Sequence, residues 1–116
     1  MGRKIVVIVR QDGLGSVAPA DTQFGREMLD KFLHTLEGLS PKPHAICFYT
    51  GGVRLTCEGS PVLFSLQLLA GMGVRIVTCT SCLEYYRLET KVAVGERGTM
   101  RDIVGLTLEA DSVITV

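Results

Sequence analysis

Val74-Arg75-Ile76-Val77-Thr78-Cys79-Thr80-Ser81-Cys82-Leu83-Glu84-Tyr85-Tyr86 is the stretch on which the reading of the fold turns. A short run rich in Val and Ile, opened by the Gly71-Met72-Gly73 turn, has the pattern of a buried strand. The two cysteines follow where that pattern gives way to a helical start, so both thiols are expected at a strand's carboxyl end. In an open parallel sheet that edge is where ligands bind. A helix amino terminus directly behind it would offer unpaired N–H groups and a partial positive charge, a setting expected to favour thiolate over thiol.

Working upstream, Thr50-Gly51-Gly52-Val53-Arg54-Leu55-Thr56 reads as the loop that closes a second buried strand, His44-Ala45-Ile46-Cys47-Phe48-Tyr49. Cys47, in mid-strand, is expected to be a small core residue. Lys4 to Val9 is a third continuous apolar run, and Asp12-Gly13-Leu14-Gly15 is its glycine loop. Between these strands Phe24, Met28, Phe32 and Leu36, with Leu29 and Leu33 beside them, repeat at helical spacing until Gly38 and Pro41. His34 falls between the apolar positions and is expected to be a solvated helix residue. Ser60-Pro61 is a cap and first-turn pair for a helix through Leu63, Leu66 and Leu69. That helix has no charged residue from Pro61 to Met72. A helix apolar all round must be covered on all sides, so Phe64 and Leu68 predict a contact with a second subunit.

Downstream, Val92-Ala93-Val94 is predicted as a short strand with Gly95-Glu96-Arg97-Gly98 as the loop at its end. Thr99 and Asp102 have capping-box spacing ahead of Ile103, Val104 and Leu108, and Ser112 to Val116 makes a last strand. Alternating strands and helices with short connections describe one α/β domain over residues 1–116. The expected architecture is a three-layer α/β/α sandwich around a mostly parallel sheet of about five strands.

Lys and Arg (12) balance Asp and Glu (12), and no basic run or aromatic-basic interleaving is present, so no nucleic-acid partner is expected. Mean hydropathy is +0.32 without any Trp, which suits a sheet covered on both faces and an apolar surface used for self-association. Ile5 to Val9 is too short for a signal-peptide core. No apolar run approaches the roughly 20 residues that span a bilayer, so a cytoplasmic protein with no membrane partner is expected. Met1-Gly2 opens like an acylation site, but Val6 stands where Ser or Thr is needed, which makes it a plain start. The four cysteines are then expected to serve chemistry, metal or burial and not a disulfide framework.

With parallel strands, the loops at 11–16, 50–57, 79–82 and 95–98 share one edge of the sheet. Asp12, Gly15, Gly51, Gly52 and Arg54 are therefore candidate ligand-binding positions in a crevice that also holds Cys79 and Cys82. A Cys-x-x-Cys pair can be a dithiol redox couple, half of a zinc site, or a persulfide-carrying nucleophile with a helper thiol, and the spacing alone leaves the three open. Structural zinc needs four ligands and only one close pair exists, so no metal is expected; nor is any cofactor. A thioredoxin-type role needs an earlier motif and a later proline, and no proline follows Pro61.

Phe24-Gly25, Met28-Leu29 and Phe32-Leu33, then Gly52-Val53-Arg54-Leu55-Thr56, Glu58-Gly59-Ser60, Cys79-x-x-Cys82-Leu83-x-Tyr85-Tyr86 and Val94-Gly95-Glu96 resemble the DsrE-like domain of the YedF family. The resemblance spans nearly the whole chain. It implies a flavodoxin-like, oligomeric α/β domain of a sulfurtransferase-like superfamily linked to selenium metabolism, whose members carry sulfane sulfur as a cysteine persulfide. Cys82, nearer the expected helix start, should feel its amino-terminal field more strongly and is the first choice as nucleophile, with Cys79 resolving or assisting. The TusA-like carrier domain that usually opens YedF proteins has no counterpart here, so such a carrier would act from another chain. Thr50 stands where the family usually has Asn. The competing class is a non-catalytic oligomeric module that binds a small ligand or metal.

Overall fold

The structure is a computed structural model and describes residues 3–116; Met1 and Gly2, read above as a plain start, lie outside the described residues. Five strands form one sheet: β1 (Ile5–Val9), β2 (Ala45–Phe48), β3 (Arg75–Cys79), β4 (Glu96–Gly98) and β5 (Ser112–Thr115). Their order across the sheet is β4-β3-β2-β1-β5, and every neighbouring pair is parallel. Continuous runs such as Ile5-Val6-Val7-Ile8-Val9 suit this arrangement, because an inner parallel strand is buried on both faces and gains nothing from polar alternation.

The helices are α1 (Thr22–Glu37), α2 (Leu63–Gly71), α3 (Thr80–Tyr85) and α4 (Met100–Glu109), with a 3₁₀ segment over Thr50–Thr56 directly after β2. Steps from β1 to β4 all move in one direction, so right-handed crossovers place α1, α2 and α3 on one face of the sheet. The return from β4 to β5 reverses that direction and puts α4 on the other. The result is the three-layer α/β/α sandwich predicted from the sequence, with an all-parallel sheet. Its core holds Val7, Val9, Ile46, Phe48, Ile76, Leu29, Leu33, Leu66 and Leu69.

The edge strand departs from the expectation. Residues Glu96–Gly98 are not a loop but β4 itself, in register with Val77, Thr78 and Cys79. Val92 to Val94 is not a strand of the sheet; Val92 makes an isolated antiparallel bridge with Cys57, and Ala93 N–H donates to the Thr56 carbonyl at 2.8 Å. The exchange has a steric cause at Gly95. With φ +78, a side chain there would place its Cβ 2.4 Å from the Ile76 carbonyl oxygen, so only glycine lets the chain enter beside β3 at that point. A second departure concerns residues 50–56, which wind into a 3₁₀ helix and are not an open loop.

The apolar helix α2 buries Ser65, Leu66 and Leu69 and leaves Phe64 70% exposed. His34 is exposed on α1 as expected. Among the described residues no helix is long and apolar enough to cross a membrane.

Candidate functional site

Cys79 is the last residue of β3 and the residue that caps α3, with φ −64 and ψ 121 still extended; Cys82 is the third residue of the helix. Thr80 Oγ donates to the Gly98 carbonyl at 3.1 Å, which ties the start of α3 to the end of β4. Cys79 is fully buried, whereas Cys82 is half-buried. The backbone N–H of Thr50 donates to Cys82 Sγ at 3.1 Å. That donor is aimed by an uncommon backbone: Thr50 has φ +47, a conformation rare for a β-branched residue and more readily adopted by Asn, the residue usual in the resembled family.

What holds Thr50 there is the seat of the 3₁₀ segment on the end of β1. The Thr50 hydroxyl rests on the carbonyls of Arg10 and Tyr49. Gly52 N–H points at the Arg10 carbonyl (3.1 Å) and the Tyr49 carbonyl (3.0 Å). A Cβ on Gly52 would lie 2.3 Å from the Val9 carbonyl oxygen, so the contact admits no side chain. Strand β1, the 3₁₀ segment and α3 thus form a chain of backbone contacts ending on one sulfur atom.

The electrostatics of that sulfur reverse the sequence expectation of an acidified thiol. Burial pushes the Cys82 thiol up, and the neighbouring Cys79 sulfur adds to the rise by sharing the proton; the Thr50 N–H pulls in the opposite direction without cancelling them. The helix that begins here is short, α3 having six residues, so few aligned peptide dipoles stand behind that sulfur. Cys47, deep in β2, is pushed up to about 11 by burial, in keeping with a structural core thiol. Cys57 is also raised by burial and donates to the Val53 carbonyl at 3.3 Å.

One helical turn beyond Cys82, Tyr86 donates its N–H to the Cys82 carbonyl at 3.1 Å and carries the Arg54 guanidinium over its ring, 4.2 Å from the centroid. Among the described residues no carboxylate lies within ion-pair distance of Arg54. Asp12 is held by Arg26 at 2.9 Å, which fixes the loop after β1 to α1. Asp12, Arg26, Arg54, Glu58 and Tyr86 line a cleft of about 640 Å³ between α1, the 3₁₀ segment and the end of α3.

The predicted crevice is therefore divided. Asp12 and Arg54 share the cleft, but neither Cys79 nor Cys82 lines it. Gly51 borders the Arg54 guanidinium, at 3.6 Å from where its Cβ would stand. Gly52 is spent on packing against β1. Gly15, with φ +65, gives its carbonyl to the Gln11 side chain and has open space where a Cβ would be. Glu96–Gly98 belong to the sheet and supply no loop. A second hollow of about 510 Å³ lies on the α4 side, lined among others by Ile8, Tyr49, Thr50, Met100 and Val113. Among the described residues no three His, Cys, Asp or Glu side chains cluster so as to hold a metal.

Two contributors escaped the sequence reading. Tyr86 was signalled by its i+4 spacing from Cys82, which puts both on one face of a helix. The Thr50 N–H carried no signal, because a backbone donor is set by dihedral angle and not by residue type.

No family model matches the chain, and no curated protein matches it. Solved structures do share its fold. The ychN protein from E. coli superposes with a TM-score of 0.72 at 20% identity over 99% of this chain and 100% of that one. MTH1491 from Methanobacterium thermoautotrophicum also gives 0.72, at 17% identity over 99% and 100% of the two chains. BT1422 from Bacteroides thetaiotaomicron gives 0.65 at 15% identity over 97% and 95%. The first two are proteins of the DsrE/DsrF-like fold, and at these identities the fold is what the likeness establishes for this chain.

Proposed function

We propose that this protein takes up sulfane sulfur on Cys82 as a persulfide and passes it on, in the manner of the YedF-type DsrE-like domains it resembles, with selenium an alternative cargo. The observation that carries this reading is the Thr50 N–H at 3.1 Å from the half-buried Cys82 sulfur. A donor fixed at that atom stabilises negative charge there both when the thiolate attacks an incoming persulfide and when the loaded sulfur leaves and the thiolate is restored. Such a group is of little use to a cysteine that merely packs. The raised thiol means that Cys82 rests protonated at neutral pH, so sulfur uptake is slow until a donor docks or the pH rises. Donor or acceptor is proposed to be a TusA-like carrier on another chain, acting on a cytoplasmic homo-oligomer assembled through α2. For that assembly, Phe64→Glu should shift the light-scattering mass towards monomer; an unchanged mass would place the contact elsewhere.

A second reading is favoured by the cleft itself. Its volume, its unpaired Arg54 stacked on Tyr86 and the absence of both thiols from its lining suit a module that binds a small ligand without sulfur chemistry. Mass spectrometry after incubation with a low-molecular-weight persulfide separates the two. The sulfur reading expects donor sulfur to reach Cys82, seen as one added sulfur on the peptide containing Cys79 and Cys82 when the reaction is quenched early. A protein that binds an anionic ligand in the Arg54 cleft and never gains sulfur would support the second.

A further inference from the structure

Cys79 and Cys82 differ in access, although they occupy the capping and third-residue positions of the same helix. Those two positions bring side chains together: in α4 the equivalent pair, Thr99 and Asp102, meets at 3.1 Å between Oγ and Oδ2. At α3 the cap and third-residue positions set Cys79 and Cys82 in the same relation. Cys79 has no solvent exposure, so an external sulfur donor or acceptor cannot reach it. Its sulfur can meet substrate sulfur only through Cys82.

We infer that Cys79 resolves the persulfide on Cys82 internally, so that the protein releases its sulfur as hydrogen sulfide and is left with a Cys79–Cys82 disulfide. This inference rests on the proposed sulfur uptake at Cys82 and assigns its product. In the first step the Cys82 thiolate attacks the outer sulfur of a persulfide R–S–SH. The new S–S bond forms on Cys82, R–S⁻ leaves, and the Cys82 proton passes to it to give R–SH. In the second step the Cys79 sulfur attacks Cys82 Sγ, the inner sulfur of the new persulfide. The bond from Sγ to the outer sulfur breaks, and that sulfur departs as HS⁻ and takes up the Cys79 proton to give H₂S. Both cysteines are oxidised by one electron each, and the sulfane sulfur is reduced by two. Return to the dithiol needs a dithiol reductant that exchanges with the half-buried Cys82 sulfur. In a reaction sequence, the protein would stand after a persulfide-forming reaction and before one that consumes sulfide.

The order of sulfurs supports this course. The attacked atom is the one held by the Thr50 N–H, on a helix whose start is fixed to β4 through Thr80, so Cys79 and Cys82 Sγ keep their relation while the outer sulfur comes and goes.

The test uses the full chain, freed of reductant, and glutathione persulfide as the donor. Released sulfide is followed alongside the mass of the peptide spanning Cys79 and Cys82. The inference expects wild type to release sulfide in step with the loss of two hydrogens from that peptide, with no lasting added sulfur. Cys79→Ser, or Cys79→Ala if serine perturbs the buried site, should instead keep one added sulfur on Cys82 and release little sulfide. Wild type that holds a stable persulfide and forms no disulfide would overturn the inference and leave sulfur uptake standing. Wild type and variants that never gain sulfur and never release sulfide would overturn both. The stoichiometry in wild type alone already decides between the first two outcomes.

Discussion

Two neighbouring helices begin at the same edge of the sheet, one strand apart, and close their first turns by different means. At α4, Thr99 Oγ accepts from the Asp102 N–H at 3.2 Å and the Asp102 carboxylate accepts from the Thr99 N–H at 2.8 Å, a complete capping box. At α3 the same two positions hold Cys79 and Cys82, and no side chain caps the helix. Instead the Cys82 sulfur takes an N–H from Thr50, a residue on a different segment. Oxygen at these positions stabilises the helix locally. Sulfur gives up that stabilisation, and its surroundings are organised by tertiary contacts from β1 and the 3₁₀ segment. The lesson is that the end of β3 is built around a sulfur atom, while the end of β4 is built around a helix.

The largest effect that would break this contrast is the pH dependence of thiol reactivity. Because Cys82 is raised above 9.0, its thiolate fraction, and with it the rate of alkylation or sulfur loading, should climb about tenfold per pH unit from pH 6 to beyond 8. A plateau below pH 8 would show that the helix field has won over burial and that the two helix starts are electrostatically alike. Cys47, held near 11 in the core, should stay unmodified throughout that range.

The tertiary hold can be tested next. Gly52→Ala must drive a Cβ into the Val9 carbonyl at 2.3 Å and should cost about 3 kcal/mol in denaturant unfolding. Gly51→Ala meets nothing closer than 3.6 Å and should change stability far less. Equal effects would mean that the seat on β1 does not set the position of the Thr50 donor.

The smallest expected effect sharpens the other side. Thr99→Ala removes the α4 cap and should cost about 1 kcal/mol. Its pH signature has a definite sign. Asp102 is lowered from 3.8 by the N–H and hydroxyl of Thr99, so its contribution is present above that value and is lost as pH falls through the lower folded one. Acid unfolding of the Thr99→Ala variant should therefore be less steep below about pH 4 than that of wild type. An unchanged acid limb would mean that the Thr99 hydroxyl, as distinct from the backbone N–H that alanine keeps, adds nothing to holding the Asp102 carboxylate.

Much of this edge was legible because strand, cap and helix signals are carried by side chains. The Val-Ile runs placed β1, β2 and β3, and Thr99 with Asp102 announced the box before α4. The strand at Glu96–Gly98 was not legible: an edge strand of three residues pairs through its backbone, and its charged side chains look like those of a loop. The more β-like Val92-Ala93-Val94 attracted the prediction and was overruled by the glycine entry at Gly95. Within the site, the cysteine pair could be read but its electrostatics could not, since burial of Cys82 and the length of α3 are tertiary facts. Asp12 and Arg54 were expected in one crevice with the thiols; the structure puts both in a cleft that the thiols do not line.

The central claim is that Cys82, and not any other cysteine, bears the sulfur. Peptide-resolved mass spectrometry of wild type and Cys82→Ser, each exposed to glutathione persulfide and quenched early with an alkylating agent, tests it most directly. The account predicts that early-quenched wild type shows one added sulfur confined to Cys82, and that Cys82→Ser shows none at Cys79, Cys47 or Cys57. Cys82→Ser loading as well as wild type would contradict it.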